Sequence, residues 1–461
     1  MERSMFLHFD KSVPQNTDLE TYWRISPAIS KAWHIENEQT VTITIGRFSK
    51  IVTCFIDSQL TGNVVSYPPV SFDLCFNPTK VLSCYFHEQK RVQIGPIFSV
   101  IVPSFYEREF PVQRTAPFIE ELAQVSMKMG IGFYVFQTKD ISTESVHGFT
   151  WSDEHGWIQG TFPFPDVSYN RLTSRKSERK RHVQKQFQLL KSKGTCLFND
   201  SFINKSTINE ILQNEDCLTP YVPDTRPIKN EEDLYDMLSK YDELILKPID
   251  GHEGKGIFLV RKRENALHVT YPSHSQYDNY TFSSKQSFFK AFSNRLNYQS
   301  YIAQQHLHLQ RLDGRSIDYR LLCIKDQTEA WNVVSGVARI ANWNSIVSNL
   351  SKGGEKQRIK DVLDQLFPEY EAKHAGRMLI ELATASCKTI DAYTRGTYAE
   401  LGIDLAFDVN GHPWFIEANT KPSKQSFGET EATIRPSARH LVQYARFLAM
   451  SSTFAGQEAY Q

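Results

Sequence analysis

The sequence predicts a mixed α/β (α+β) protein with a β-rich N-terminal region, a small α/β domain and a larger C-terminal domain. Three stretches carry this reading. VTITIGRFSKIVTCFI, from Val41, alternates apolar and polar residues with the period of a half-buried strand. IGPIFSVIVPS, from Ile94, followed by TAPFIEELAQVSMKMGIGFYVFQ, reads as strand, helix, strand, the unit of a parallel sheet. LGIDLAFDVNGHPWFIEANTKP, Leu401 to Pro422, reads as two short strands around a tight turn.

The bulk numbers bound the rest. A chain of 461 residues has room for two or three domains. Lys+Arg and Asp+Glu both total 52, and a balanced charge argues against nucleic acid as the main partner. Seven cysteines without a C-x-x-C pair point to reduced thiols inside a cell rather than to disulfides or a zinc site. Met1 to Asp10 lacks an apolar core of signal-peptide length and no run approaches a membrane span, so a cytoplasmic protein is expected.

Residues 1–105 form the expected β-rich domain, with Pro and Asn clusters punctuating its runs. Residues 106–200 form the α/β domain; Thr115 is placed to cap its helix, with Pro117 in the first turn. The basic run from Arg171 to Lys191 reads mainly as a solvated helix face or loop rather than as a phosphate or nucleic-acid site. Arg171 is kept as a candidate substrate contact, because it ends the presumed strand where an α/β sheet usually meets its ligand.

Residues 201–450 form the large domain, followed by a tail, 451–461. ELILKPIDGHEGKGIFLV is a strand, a glycine-rich loop and a second strand. It is no P-loop, since G-x-x-x-x-G-K-[ST] is absent. As a flap, Gly251, Gly254 and Gly256 would let backbone N–H groups approach phosphate oxygens, while Lys255 and Lys247 add cations. Taken alone, that stretch reads better as a plain glycine-rich hairpin with solvent-facing lysines. YIAQQHLHL reads as a buried strand entering a linker, and GRSIDYRLLCI with TEAWNVVSGVARIA as a strand pair. Asp318 and Arg320 share a face there and Arg339 can join them, either as phosphate clamps or as an ion pair across the sheet. A long amphipathic helix, Glu371 to Tyr398, then delivers the chain to the terminal hairpin.

In that hairpin, Asn410-Gly411 as a two-residue turn would pair Val409 with His412 and set Asp404 opposite Glu417. Glu417 and Asn419 then share one face, with Trp414, Ile416 and Ala418 on the other, and Asn419 faces Gly402. Opposed carboxylates repel unless something positive lies between them. An all-oxygen set of this kind suits Mg²⁺, which takes its remaining ligands from water and substrate phosphates. An exposed polar face meeting water is the competing explanation.

The order of these elements resembles the ATP-grasp fold. More narrowly, YNR at Tyr169, Tyr221-Val222-Pro223, DGHEGKGI, DYRLL, GVARIA, SNLSKGG, LGIDLAFD and FIEANTKP resemble the endospore coat-associated ATP-grasp family, the YheC/YheD-like proteins. The resemblance implies ATP and Mg²⁺ as cofactors, with a small Rossmann-like domain ahead of the ATP-grasp domain. By the same resemblance Lys205 and Lys247 contact phosphate, and Gln305, His306 and Leu307 form the hinge that meets adenine. Asp318 falls among the nucleotide-binding positions. Asp404, Glu417 and Asn419 match the metal positions; Arg320 and Arg339 clamp the γ-phosphate; Asn349 and Lys421 lie near the acceptor. His306 departs from the pattern, which leaves the ribose contact open, with Asp313 a candidate. The implied activity is a carboxylate–amine or carboxylate–thiol ligase acting on small-molecule or peptide substrates, with a kinase or a non-catalytic spore-coat protein as rivals.

Overall fold

The computed structural model describes residues 3–10, 22–66, 81–87, 90–104, 116–249, 256–264, 266–272, 277–292, 301–342, 354–424 and 434–458. Its described strands form one closed barrel and three six-stranded sheets.

The alternating run becomes the antiparallel pair Gln39–Ile45 and Phe48–Ile56, part of a seven-stranded barrel that Arg91–Ile94 completes. Its inward residues, among them Trp23, Ile43, Val52 and Val92, are buried. Ile97–Ile101 already belongs to the next sheet, where it pairs in parallel with Gly132–Phe136 and Val167–Asn170. Cys196–Phe198 extends that parallel set and two antiparallel strands close its other edge. The expected strand–helix–strand is present, its helix running from Ala116 to Lys128; the proposed cap Thr115 lies outside the described residues. The long C-terminal helix, Pro436–Glu458, packs Leu441, Val442 and Ala445 into the same core as Phe98, Phe118 and Phe198. The chain is therefore helical as far as Glu458, and this helix packs against both the second and the fourth sheets.

The third sheet carries the Lys247 strand (Glu243–Pro248), flanked by Phe258–Arg263 and by the hinge strand Tyr301–Gln305. Leu244, Leu246, Val260 and Ala303 pack under the helices Glu231–Lys240 and Lys285–Phe292. By strand alternation Ile245, Lys247 and Gln304 point the other way. Asn230 and Asp233 cap the first helix reciprocally. The fourth sheet orders Glu355–Gln357, Trp331–Ile340, Arg315–Lys325, Glu400–Phe407 and Pro413–Asn419. Its apolar face, including Tyr319, Leu321, Ile403, Leu405 and Phe415, is buried against the helix Glu369–Tyr393. That helix stops five residues short of the expected Tyr398, and Tyr398 is instead buried in the segment entering the Asp404 strand.

The basic run folds as two helices, Arg175–Glu178 and Arg181–Ser192, with Val183, Phe187 and Leu190 buried and its other face solvated. Six described cysteines are free. Among the described residues no helix is long and apolar enough to cross a membrane.

Candidate active site

The polar face of the fourth sheet gathers the charged residues. Asp318 pairs with Arg339, Arg320 with Asp404, Asp404 with Glu417 and Gly402 with Asn419 across four strands. The expected opposition of Asp404 and Glu417 is thus present, but the turn that produces it is different. Phe407 pairs with Pro413 rather than Asp408 with Pro413, and the Asp408 N–H donates to His412 O (2.9 Å), which leaves three residues in the turn. Asp408 explains the length: its carboxylate accepts from the N–H groups of Asn410 and His412 and from Trp414 Nε1. Gly411 supplies the left-handed conformation such a turn needs, at φ 80°.

A bulge then absorbs the extra residue. Leu405 pairs with Phe415 while Asp404 pairs with Glu417, so Ile416 has no partner across the strand. The bulge restores the register of the acids and reverses the outer half of the strand. Phe415 lies with Ala418 in the core, and Trp414 is displaced from the face shared with Ala418. Trp414 instead lines a cavity of about 460 Å³ beside the hinge, with Thr225, Arg226, Tyr241 and Gln305.

Charges in the corner neutralise one another. Arg320 forks onto Asp404, its Nη2 donating to Oδ2 at 2.7 Å. Arg339 Nη2 donates to the same oxygen at 2.7 Å, and its Nε donates to Asp318. Asp318 is buried behind Arg339; burial raises its pKa to about 7 although Arg339 opposes the shift. Lys205 opens the helix Lys205–Gln213, capped by Asn204, and its Nζ lies 2.8 Å from Glu417 Oε2. Burial pushes Glu417 upward, but Lys205, then Lys247 and Arg320, outweigh it and hold the carboxyl down at about 2. Lys247 is buried and donates to Gln304 Oε1 at 2.8 Å. Its pKa falls to about 8, first from burial and then from Lys205, with Glu417 opposing. Asn419 Nδ2 is buried without a hydrogen-bond partner, on the strand that holds Glu417. Two carboxylates and an amide on one polar face, four cations around them and an orphaned amide atom form a donor set that fits a hard divalent cation and a polyanion.

Other expected residues lie elsewhere. Gly251, Gly254, Lys255 and Asn349 are outside the described residues, while Gly256 rejoins the strand at φ 74°. Gln305 ends the hinge strand, and His306 donates its backbone N–H to Glu243 O at 3.1 Å. Burial lowers the His306 pKa, partly offset by Glu243. Asp313 is an exposed turn residue at φ 51°. Arg171 is buried against the Tyr169 ring and donates to Pro422 O at 3.1 Å. Lys421 is buried, ion-paired with Glu178 and stacked on Phe202. Both charges are committed to interior partners in the seam between the second and fourth sheets.

Two residues went unread in the sequence. Gln304 bridges Lys247 Nζ and Thr225 Oγ1, the latter at 2.7 Å; its place two residues before the linker was the available signal. Asn199 had none. Held at φ 48°, it donates to the carbonyls of Glu400 and Thr420 and accepts from the N–H groups of Ala399 and Glu400. It thereby joins the two open ends of the hairpin that carries Asp404 and Asn419.

Lys247 on one sheet lies close enough to Glu417 on another to help hold its carboxyl down, and Asp404 pairs with Glu417 across the hairpin; this is the arrangement of an ATP-grasp protein. The family model described as "YheC/D like ATP-grasp" matches residues 194–448. The chain belongs to that family. It is 26% identical over 343 residues to the endospore coat-associated protein YheD of Bacillus subtilis (strain 168), covering 73% of this chain and 74% of that one. It is also 26% identical over 321 residues to YheC of the same organism, covering 68% and 87% respectively. Among solved structures it is similar to the ATP-grasp ligase PsnB complexed with minimal precursor, at TM-score 0.44 and 14% identity over 77% of this chain and 99% of that one. The D-alanine–D-alanine ligase from Coxiella burnetii is similar at TM-score 0.44 and 12% identity over 79% and 98%.

Proposed function

We propose that the chain is an ATP- and Mg²⁺-dependent carboxylate–amine ligase. The observation that supports it best is the paired Asp404 and Glu417 set among Arg320, Arg339, Lys205 and Lys247. Asp404, Glu417 and Asn419 would hold Mg²⁺, which supplies positive charge against the phosphate oxygens. Lys205 and Lys247 bind phosphate, Arg320 and Arg339, with Asp318 behind Arg339, balance charge developing on the γ-phosphoryl group, and the Gln305–Leu307 hinge completes the nucleotide site. The family resemblance assigns Gly251, Gly254, Lys255 and Gly256 to the phosphates as well.

In this reaction a substrate carboxylate oxygen forms a bond to the γ-phosphorus as the bond to the β–γ bridging oxygen breaks, giving an acylphosphate and ADP. An amine nitrogen then bonds the acyl carbon, phosphate leaves with the bonding pair, and the nitrogen loses a proton. No side-chain nucleophile is required, so the work of the chain is positioning and charge balance. Its place at the end of a strand assigns Arg171 to the acceptor, and the family resemblance assigns Asn349 and Lys421; of these, Arg171 and Lys421 would act by shaping the acceptor side of the corner through their interior pairs rather than as free charges. The domain plan that goes with this reading is 1–105, 106–200, 201–450 and a tail, 451–461. Association with a spore coat follows from the names of the relatives and accompanies either an active or a catalytically silent protein.

Incubation with ATP, Mg²⁺ and candidate carboxylates in hydroxylamine tests the chemistry. A hydroxamate is expected. A stable phosphate ester would transfer the reading to a kinase, and no ADP release across amino acids, peptides and cell-wall precursors would leave a coat-associated binding protein.

A further inference from the structure

We infer a second metal site, for a first-row transition ion and foremost Zn²⁺, formed by Glu243, His306 and His308 at the hinge. One ligand atom from each lies within 4.8 Å of the other two, a trio found once among the described residues. His306 and His308 stand two apart, and their rings meet edge to face, with centroids 5.3 Å apart and planes at 90°. His306 Nδ1 lies 3.0 Å from Glu243 Oε2 without the alignment of a hydrogen bond. The backbone holds them together independently, because the His306 N–H donates to Glu243 O.

Glu243 is oriented from behind. Arg263 Nη2 donates to Oε1 at 2.6 Å and Arg261 Nε approaches the same oxygen at 3.4 Å. Oε2 is thereby turned toward the imidazoles, the outer support that ligating carboxylates usually have. Two nitrogens and one carboxylate oxygen, with one ligand exposed, suit a tetrahedral ion with an open fourth position. Neutral imidazoles and two nearby guanidinium groups select against Mg²⁺ and Ca²⁺, which want several anionic or carbonyl oxygens.

The site is distinct from the Asp404 corner. Glu243 shares a face with Lys247 four residues further along the strand, roughly 14 Å at strand rise, so it stands well away from Lys247 at the start of that strand. A bound ion would tie the start of the Lys247 strand to the linker after the hinge strand. His308 O in turn accepts from Val409 N (2.9 Å) in the turn of the Asp404–Glu417 hairpin. The ion would therefore stiffen the joint between the two sheets, whatever reaction the cleft performs.

Calorimetric titration of the metal-free full chain with ZnCl₂ in excess Mg²⁺, repeated with Co²⁺ and read by visible absorption, tests the site. One equivalent of Zn²⁺ should bind, and Co²⁺ should give the intense bands of a tetrahedral complex. H308Q, at an exposed position, should weaken binding by at least the roughly 10–100-fold that loss of an outer-shell partner costs, as should E243Q. E417Q and C217S should bind Zn²⁺ as the parent does. Absence of a stoichiometric site in the parent overturns the inference. So does binding unchanged in both H308Q and E243Q, or binding lost in E417Q or C217S, which would move the ion to the nucleotide corner or to the exposed thiol.

Discussion

Lys205 and Glu417, 212 residues apart in the chain, meet at 2.8 Å between Nζ and Oε2. The lysine supplies at this carboxylate the positive charge that a divalent cation would otherwise bring. Under the proposed function, a cation bound at Glu417 would release Lys205 toward a phosphate. Glu417→Gln keeps the shape and removes the charge. Turnover of ATP should fall on the order of 100-fold or more, with an unchanged circular dichroism spectrum. Parent-level ADP release with ordinary Mg²⁺ dependence in this variant would refute the metal role.

Lys247 is buried as a base whose pKa is lowered to about 8 from 10.5, first by burial and then by Lys205. Above pH 8 the folded chain releases a proton that the unfolded chain retains until about 10.5. Stability should therefore rise with pH across that window. In Lys247→Met this component should vanish from the urea midpoint measured between pH 7.5 and 10.5, while ATP affinity falls. A parent protein whose midpoint falls steadily over the same range, with no difference from the variant, would remove Lys247 from the interior.

Asn199 holds the Asp404 hairpin at its open end through four backbone hydrogen bonds. Asn199→Ala leaves buried backbone groups without partners and should cost about 2–4 kcal/mol in chemical denaturation. Because the proposed metal ligands Asp404, Glu417 and Asn419 lie on that hairpin, the Mg²⁺ concentration for half-maximal ADP release should also rise. A variant that loses stability while keeping the parent's Mg²⁺ dependence would make Asn199 purely structural.

Gly402 faces Asn419 across the hairpin. A Cβ there would meet Pro422 Cβ at 2.9 Å and Arg320 Cδ at 3.4 Å. Gly402→Ala should thus displace the Pro422 loop or the Arg320 side chain. Turnover should drop roughly tenfold or more with a modest change in melting temperature, since a small misplacement of a clamp is enough. Full activity in the alanine variant would show that Arg320 has room to move.

Much of the site was legible because it lies in local periodicities. Asp318 and Arg320 share a face by alternation, and Asp404 falls opposite Glu417 by counting outward from a turn. The count succeeded for an unforeseen reason. The turn is one residue longer than the Asn-Gly signal implies, since Asp408 accepts three N–H groups, and the bulge at Ile416 takes the residue back. Trp414 lies between those two irregularities, so its expected face was wrong while that of Glu417 was right.

Side-chain period, charge spacing and turn chemistry were sufficient to place the acids, the arginines and Lys247 on strands of a mixed α/β chain. Those signals act over a few residues, where strand geometry leaves few choices. Which distant groups meet was decided by packing. Lys205 reaching Glu417, Asn199 joining the hairpin ends, Lys421 spent on Glu178 and Glu243 beside His306 and His308 all depend on sheets brought together by burial of their apolar faces, and burial does not encode which polar side chains will face each other.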